Sequence, residues 1–191
     1  MKKRKQGIDK RLLRIMGVVC LSFLLGVLGG ALLANLLSGS ARAELTSFLR
    51  GALTEGSEVG FWSIFLKYFK YDLLIWLGGW VPLGIFLSGA AFLFRGAAVG
   101  FTSAILFTTY GRRGVWIAAS SLLPQNMLLI PTYILIMTAS VYYLTSWNEQ
   151  GGKRALKRER RRKQAEYSLL LLGSMVMLAA AAGMERAILL A

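Results

Sequence analysis

Thirty-five residues, Gly114 to Asn148, carry no charge, and in their midst stand Pro124-Gln125-Asn126, with Pro131 shortly after. Each proline removes a backbone donor, and each amide brings a dipole that hydrocarbon cannot satisfy. An apolar run interrupted in this way persists in a bilayer only where other helices or water offer partners. The segment therefore predicts a multi-helix membrane body with a polar point inside it, and excludes a lone membrane anchor.

Composition agrees. The chain is 55% hydrophobic over 191 residues with a mean hydropathy of +0.55, which is high for a soluble domain. A single integral membrane domain accounts for residues 1–191. The net charge of +14 is concentrated in two blocks. Residues 1–14 hold seven Lys/Arg against Asp9, and residues 148–166 hold eight against three Glu. Both blocks flank apolar spans, the pattern of a basic cytoplasmic tail and a basic cytoplasmic loop, which also attract anionic membrane lipids. Neither block interleaves aromatic residues or sits in a nucleic-acid-binding fold, so nucleic acid is not the expected partner. Cys20 is the only cysteine and reads as a packing residue.

The first apolar stretch, Ile15 to Leu37, is roughly 34 Å long as a helix and crosses a bilayer. It exceeds a signal-peptide core, so an uncleaved anchor with a cytoplasmic N-terminus is expected. Its Gly26 and Gly30 form a G-x-x-x-G pair suited to close helix approach, although small residues are common in membrane helices generally. Residues 38–72 carry four basic and four acidic groups and read as an outer amphipathic loop. Within it, Leu45, Phe48, Leu49 and Leu53 recur at helical spacing, and Phe61, Trp62, Phe65, Leu66 and Phe69 share one face after Gly56. Two short helices are expected there, lying on the outer surface or packing against the bundle. Phe48, Leu49, Phe61, Trp62 and Phe65 either face a partner or merely guide the chain back into the bilayer. A second span is read over Leu73–Phe94, kinked at Pro82, and a third over Gly96–Tyr110, with Gly96 and Gly100 on a small-residue stripe.

From Val115 to near Trp147 the apolar run exceeds one crossing. Either a short half-helix precedes a full span from about Met127, or the first piece dips in and returns. A fifth span follows over about Tyr167–Gly183. The expectation is thus an all-α polytopic bundle of about five transmembrane helices, with one helix broken near Pro124 and both basic blocks on the cytoplasmic side.

Enzyme chemistry finds no support. Histidine is absent, the two aspartates (Asp9 and Asp72) fall in different regions, and no phosphate-binding glycine loop is present. No catalytic, cofactor-binding or metal-ligating residue is expected. Asp72 and Arg95 read as flank residues that snorkel from opposite ends of the second span. Gln125 and Asn126, beside Pro124 and Pro131, either cap freed carbonyls and bind another helix, or mark a substrate site at a helix break.

Tyr68-Phe69-Lys70-Tyr71-Asp72, Pro82-Leu83-Gly84, Phe94-Arg95-Gly96-Ala97-Ala98-Val99-Gly100-Phe101 and Leu123-Pro124-Gln125-Asn126 through Pro131 together resemble the stage II sporulation protein M family. The likeness covers most of the chain. The wider family often has a histidine after the first proline and a glutamate before the second, where this chain has Gln125 and, approximately, Leu129. The resemblance implies a non-enzymatic membrane scaffold in endospore formation, at the sporulation septum and the engulfing mother-cell membrane. It also implies partnership with stage II sporulation proteins D and P, which degrade peptidoglycan. A homo-oligomer stays open. The alternative is a small multi-pass transporter or permease subunit using the Pro124–Pro131 break as its site.

Overall fold

The computed structural model describes residues 10–37, 39–41, 44, 45, 47, 60–81, 83–148 and 156–190. Phe48, Leu49 and Pro82 lie outside the described residues. The principal helices are α1 (Lys10–Leu36), α2 (Phe61–Gly78), α3 (Gly84–Tyr110), α4 (Arg112–Ser121), α5 (Leu123–Asn148) and α6 (Leu156–Leu190). Stretches within α1, α3, α5 and α6 (Lys10–Leu36, Gly84–Tyr110, Leu123–Thr145 and Arg162–Ile188) are long and apolar enough to cross a membrane. The chain is an all-α, polytopic helical bundle. α2 carries Lys67, Lys70 and Asp72 and does not meet that measure of apolarity, yet it packs on α3, α5 and α6.

α1 and α3 form the most extensive helix pair. Val19, Phe23, Gly26, Gly30 and Ala34 form the buried stripe of α1, while Leu21, Leu24, Leu25, Leu28 and Leu32 are exposed on its other faces. Phe23 meets Phe92 with ring centroids 5.3 Å apart. Further along both helices, a Cβ at Gly26 would stand 2.8 Å from the Leu93 carbonyl oxygen, and one at Gly96 2.9 Å from that of Phe23. Gly30 and Gly100 meet the Ala97 and Val27 backbones more closely still. The contacts advance together along both chains, so the two helices run parallel. Lipid tails are as apolar as Leu, so close backbone packing is what holds such a pair together.

Two boundaries differ from the sequence reading. No span runs over Leu73–Phe94, and none begins at Gly96. Instead the chain breaks at 79–83, next to Gly79 and the sequence Trp80-Val81-Pro82, and residues 84–110 form one helix of 27 residues. Arg95 consequently sits in the middle of α3. Pro82 disfavours helix at Val81, whereas Arg95-Gly96 contains nothing that ends a helix beyond the weak propensity of glycine. α2 and α3 fold back on each other at that turn. A Cβ at Gly84 would stand 2.8 Å from Gly78 Cα, and Ser88 Oγ, one turn on, donates to the Ile75 carbonyl at 3.1 Å.

At the far end of α3, Gly111 adopts φ 57° and turns the chain sharply into α4. Over 115–147 the short α4 is followed by the long α5, which begins at Leu123 and not near Met127. The joint lies at Leu122, two residues before Pro124. Leu122 N–H still reaches the Ala118 carbonyl at 2.9 Å. Pro124 falls in the first turn of α5, where its missing N–H costs nothing. Pro131 lies inside α5 and is tolerated. α6 extends well beyond Tyr167–Gly183 at both ends, through Gly183 and Glu185 to Leu190.

Candidate functional site

Polar side chains are gathered between α2, α3, α5 and α6. The buried face of α2 repeats as Ile64, Phe65, Tyr68, Asp72, Ile75 and Gly78. Its helical period thus turns Tyr68 and Asp72 inward along with the apolar residues.

Toward one end, Tyr68 is almost completely buried. Its hydroxyl donates to a Glu185 carboxylate oxygen and lies 3.3 Å from Gln125 Oε1. One phenolic proton cannot serve both acceptors at once, so they compete for it. Lys67 Nζ reaches the other Glu185 oxygen at 3.3 Å. This group ties α2 to both α5 and α6. Asn126 Nδ2 donates back to the Leu122 carbonyl at 2.8 Å, a carbonyl at the α4–α5 joint. Its Oδ1 is buried without a hydrogen-bond partner among the described residues.

At mid-bundle, the Arg95 guanidinium lies 5.1 Å from the ring centroid of Tyr68, 6.0 Å from that of Tyr71 and 5.7 Å from that of Tyr133. Three ring faces around one cation supply quadrupole attraction where a full hydration shell has no room. Tyr133 Oη donates to the Tyr68 carbonyl at 3.1 Å. Asp72 is fully buried. Its Oδ2 accepts from Ser174 Oγ at 2.5 Å, while Oδ1 has no partner among the described residues. Asp72 and Arg95 therefore do not snorkel from opposite ends. Both lie inside the bundle, because the helix break falls at 79–83 and both positions are interior to their helices.

Toward the other end, Ser140 Oγ donates to the Ile75 carbonyl at 3.0 Å and lies 2.6 Å from Tyr167 Oη. Tyr167 in turn donates to the Trp76 carbonyl at 2.6 Å. Tyr167 stacks on Tyr143 at 4.7 Å and on Trp76 at 5.6 Å.

These contacts order the helices. Tyr68 meets residues near the start of α5 and the end of α6, and Trp76 meets the start of the α6 span. α2 and α5 thus run opposite to α3 and α6. The basic ends of α1 and α6 share one end of the bundle.

Of the residues singled out from the sequence, Gln125 and Asn126 face the seam, Pro124 is half-buried and Pro131 exposed. Gly26 and Gly30 meet the α3 segment holding Gly96 and Gly100, away from the seam. Phe61, Phe65 and Phe69 stack in series, with centroids 6.3 and 5.7 Å apart. Phe65 is turned into the core, while Trp62 is 70% exposed, so the aromatic face of the sequence reading is divided between two directions. Sequence reasoning missed Tyr133, Ser140, Tyr167, Ser174 and Glu185. Isolated hydroxyls in apolar runs were the signal available, but only packing pairs Ser174 with Asp72 across more than a hundred residues.

A bundle of long apolar helices with its polar side chains turned inward defines an integral membrane protein. The family model described as Stage II sporulation protein M matches residues 19–188, and the chain belongs to that family. It is a membrane protein of the sporulation class. No curated protein and no solved structure matches it.

Proposed function

We propose that this chain is a non-enzymatic scaffold of endospore formation, which holds peptidoglycan-degrading enzymes at the septal and engulfing membrane. Family membership supports a role in sporulation. The observation that carries the scaffold reading is the use made of the interior polar groups. Tyr68, Glu185, Asp72, Ser174, Ser140 and Tyr167 bind across helices, so they fasten the bundle together and leave the chemistry to partners.

The positive-inside tendency assigns the end bearing the two basic blocks to the cytoplasm. The end with Phe61, Trp62, Trp116 and Glu185 then faces the wall, where stage II sporulation proteins D and P are the expected hydrolases. Arg112 and Arg113 oppose this orientation and are outnumbered by the fifteen cations of the blocks.

Affinity capture of the full chain from sporulating cells, under conditions that preserve membrane complexes, tests the proposal. Recovery of wall hydrolases is expected; their absence would count against the scaffold.

Transport is the second reading, and the buried Asn126 Oδ1, without a partner among the described residues, favours it. It gains if Gln125→Leu leaves a stable, correctly localised protein that still blocks engulfment.

A further inference from the structure

α1 and α6 both pack on α5, yet they make no substantial contact with each other among the described residues. A groove of about 420 Å³ remains between the three helices, at the end of the bundle that carries the basic segments. That volume is within the ~300–1,000 Å³ range of ligand pockets. The exposure of Leu12, Met16, Leu135 and Leu170 along its walls shows that it opens on the lipid-facing surface.

The groove is graded in polarity. Leu135 and Leu170 lie deeper along their helices, Thr138 and Tyr142 follow along α5, and Lys163 and Glu166 stand toward the basic end of α6. Glu166 is engaged by Arg162 at 2.9 Å, whereas Lys163 has no ion pair among the described residues.

A second observation concerns Thr138. Thr132 and Thr145 on the same helix bond back to carbonyls four residues earlier, at 2.7 and 2.8 Å. Thr138 is 5% exposed beside the groove, and its hydroxyl, buried with it, has no partner among the described residues. A cation followed by an apolar trough matches the phosphate and acyl chain of a lipid in order and in sign.

We propose that this groove is a site for an anionic phospholipid, with its acyl chain along Met16, Leu135 and Leu170 and its phosphate at Lys163. The site is independent of the scaffold proposal.

Native mass spectrometry of the full chain in detergent tests it, with phosphatidylglycerol and phosphatidylcholine of identical chains as probes. Wild-type protein should retain phosphatidylglycerol about fivefold more than phosphatidylcholine, the preference that one basic residue near the membrane surface confers. Lys163→Gln should abolish that preference. Leu170→Trp, at a position 49% exposed, and Ala139→Leu, on a second wall of the groove, should each reduce retention of both lipids. Arg186→Gln, near the opposite end of α6, should change nothing. Glycerol phosphate alone should not displace the lipid. Equal retention of the two lipids, undiminished retention in folded Leu170→Trp and Ala139→Leu proteins, or displacement by glycerol phosphate would overturn the proposal.

Discussion

Asp72 shows how sharply the surroundings of one residue determine the cost of changing another. Its carboxyl group is fully buried and has one hydrogen-bond partner among the described residues, Ser174. Removing that hydroxyl leaves both carboxyl oxygens unpartnered among the described residues, whereas Asp72→Asn keeps a carbonyl for Ser174 and removes the ionisable group. Ser174→Ala should therefore destabilise the bundle by about 1–3 kcal/mol, and Asp72→Asn by clearly less. Thermal unfolding in detergent would measure both, and equal losses would refute the ordering. Tyr68→Phe removes the proton contested by Glu185 and Gln125. Hydrogen bonds between membrane helices are worth about 0.6–2 kcal/mol, so a modest fall in Tm is expected, measurable by the same unfolding assay. The sequence alone marked Gln125 as a polar group needing an internal partner. It did not show that the partner is a tyrosine 57 residues away.

Among the helices, the α1–α3 pair depends on glycine for backbone approach. A Cβ at Gly100 would meet the Val27 backbone, and one at Gly29 would meet nothing within 4 Å. Gly100→Leu should thus separate α1 from α3 and reduce membrane abundance several-fold, since a loss of ~2 kcal/mol or more is a large share of a typical folding free energy, while Gly29→Leu should be tolerated. Immunoblotting of membrane fractions distinguishes the two. At Gly111, where φ is 57° and ψ −133°, replacement by a residue with a side chain should cost about 1–3 kcal/mol, again read as a lower Tm. The G-x-x-x-G spacing was legible in the sequence, but the helix it meets, and the parallel direction of the pair, were not. Spacing describes one surface, and a contact needs two.

For the molecule as a whole, the antiparallel relation of α2 and α5 to α3 and α6 brings the basic ends of α1 and α6 together. If that end is cytoplasmic, a cysteine at Ser57 should react with a membrane-impermeant maleimide added outside intact cells, and one at Glu159 should react only after lysis. Cys20 replaced by Ser removes the background. The reverse labelling pattern would invert the orientation and place the Glu185 end in the cytoplasm.

The sequence by itself determined the class of fold, the two basic flanks and the family, because apolar run length and charge placement act through the bilayer and require no knowledge of neighbours. It also required that Gln125 and Asn126 be enclosed, since hydrocarbon offers them no partner. Only the tertiary structure decided that the helix break falls at 79–83, that Asp72 and Arg95 are interior, and that the polar groups pair across α2, α5 and α6. Those outcomes depend on which faces of distant helices meet. Local hydropathy averages over those faces, whereas packing sorts them one side chain at a time.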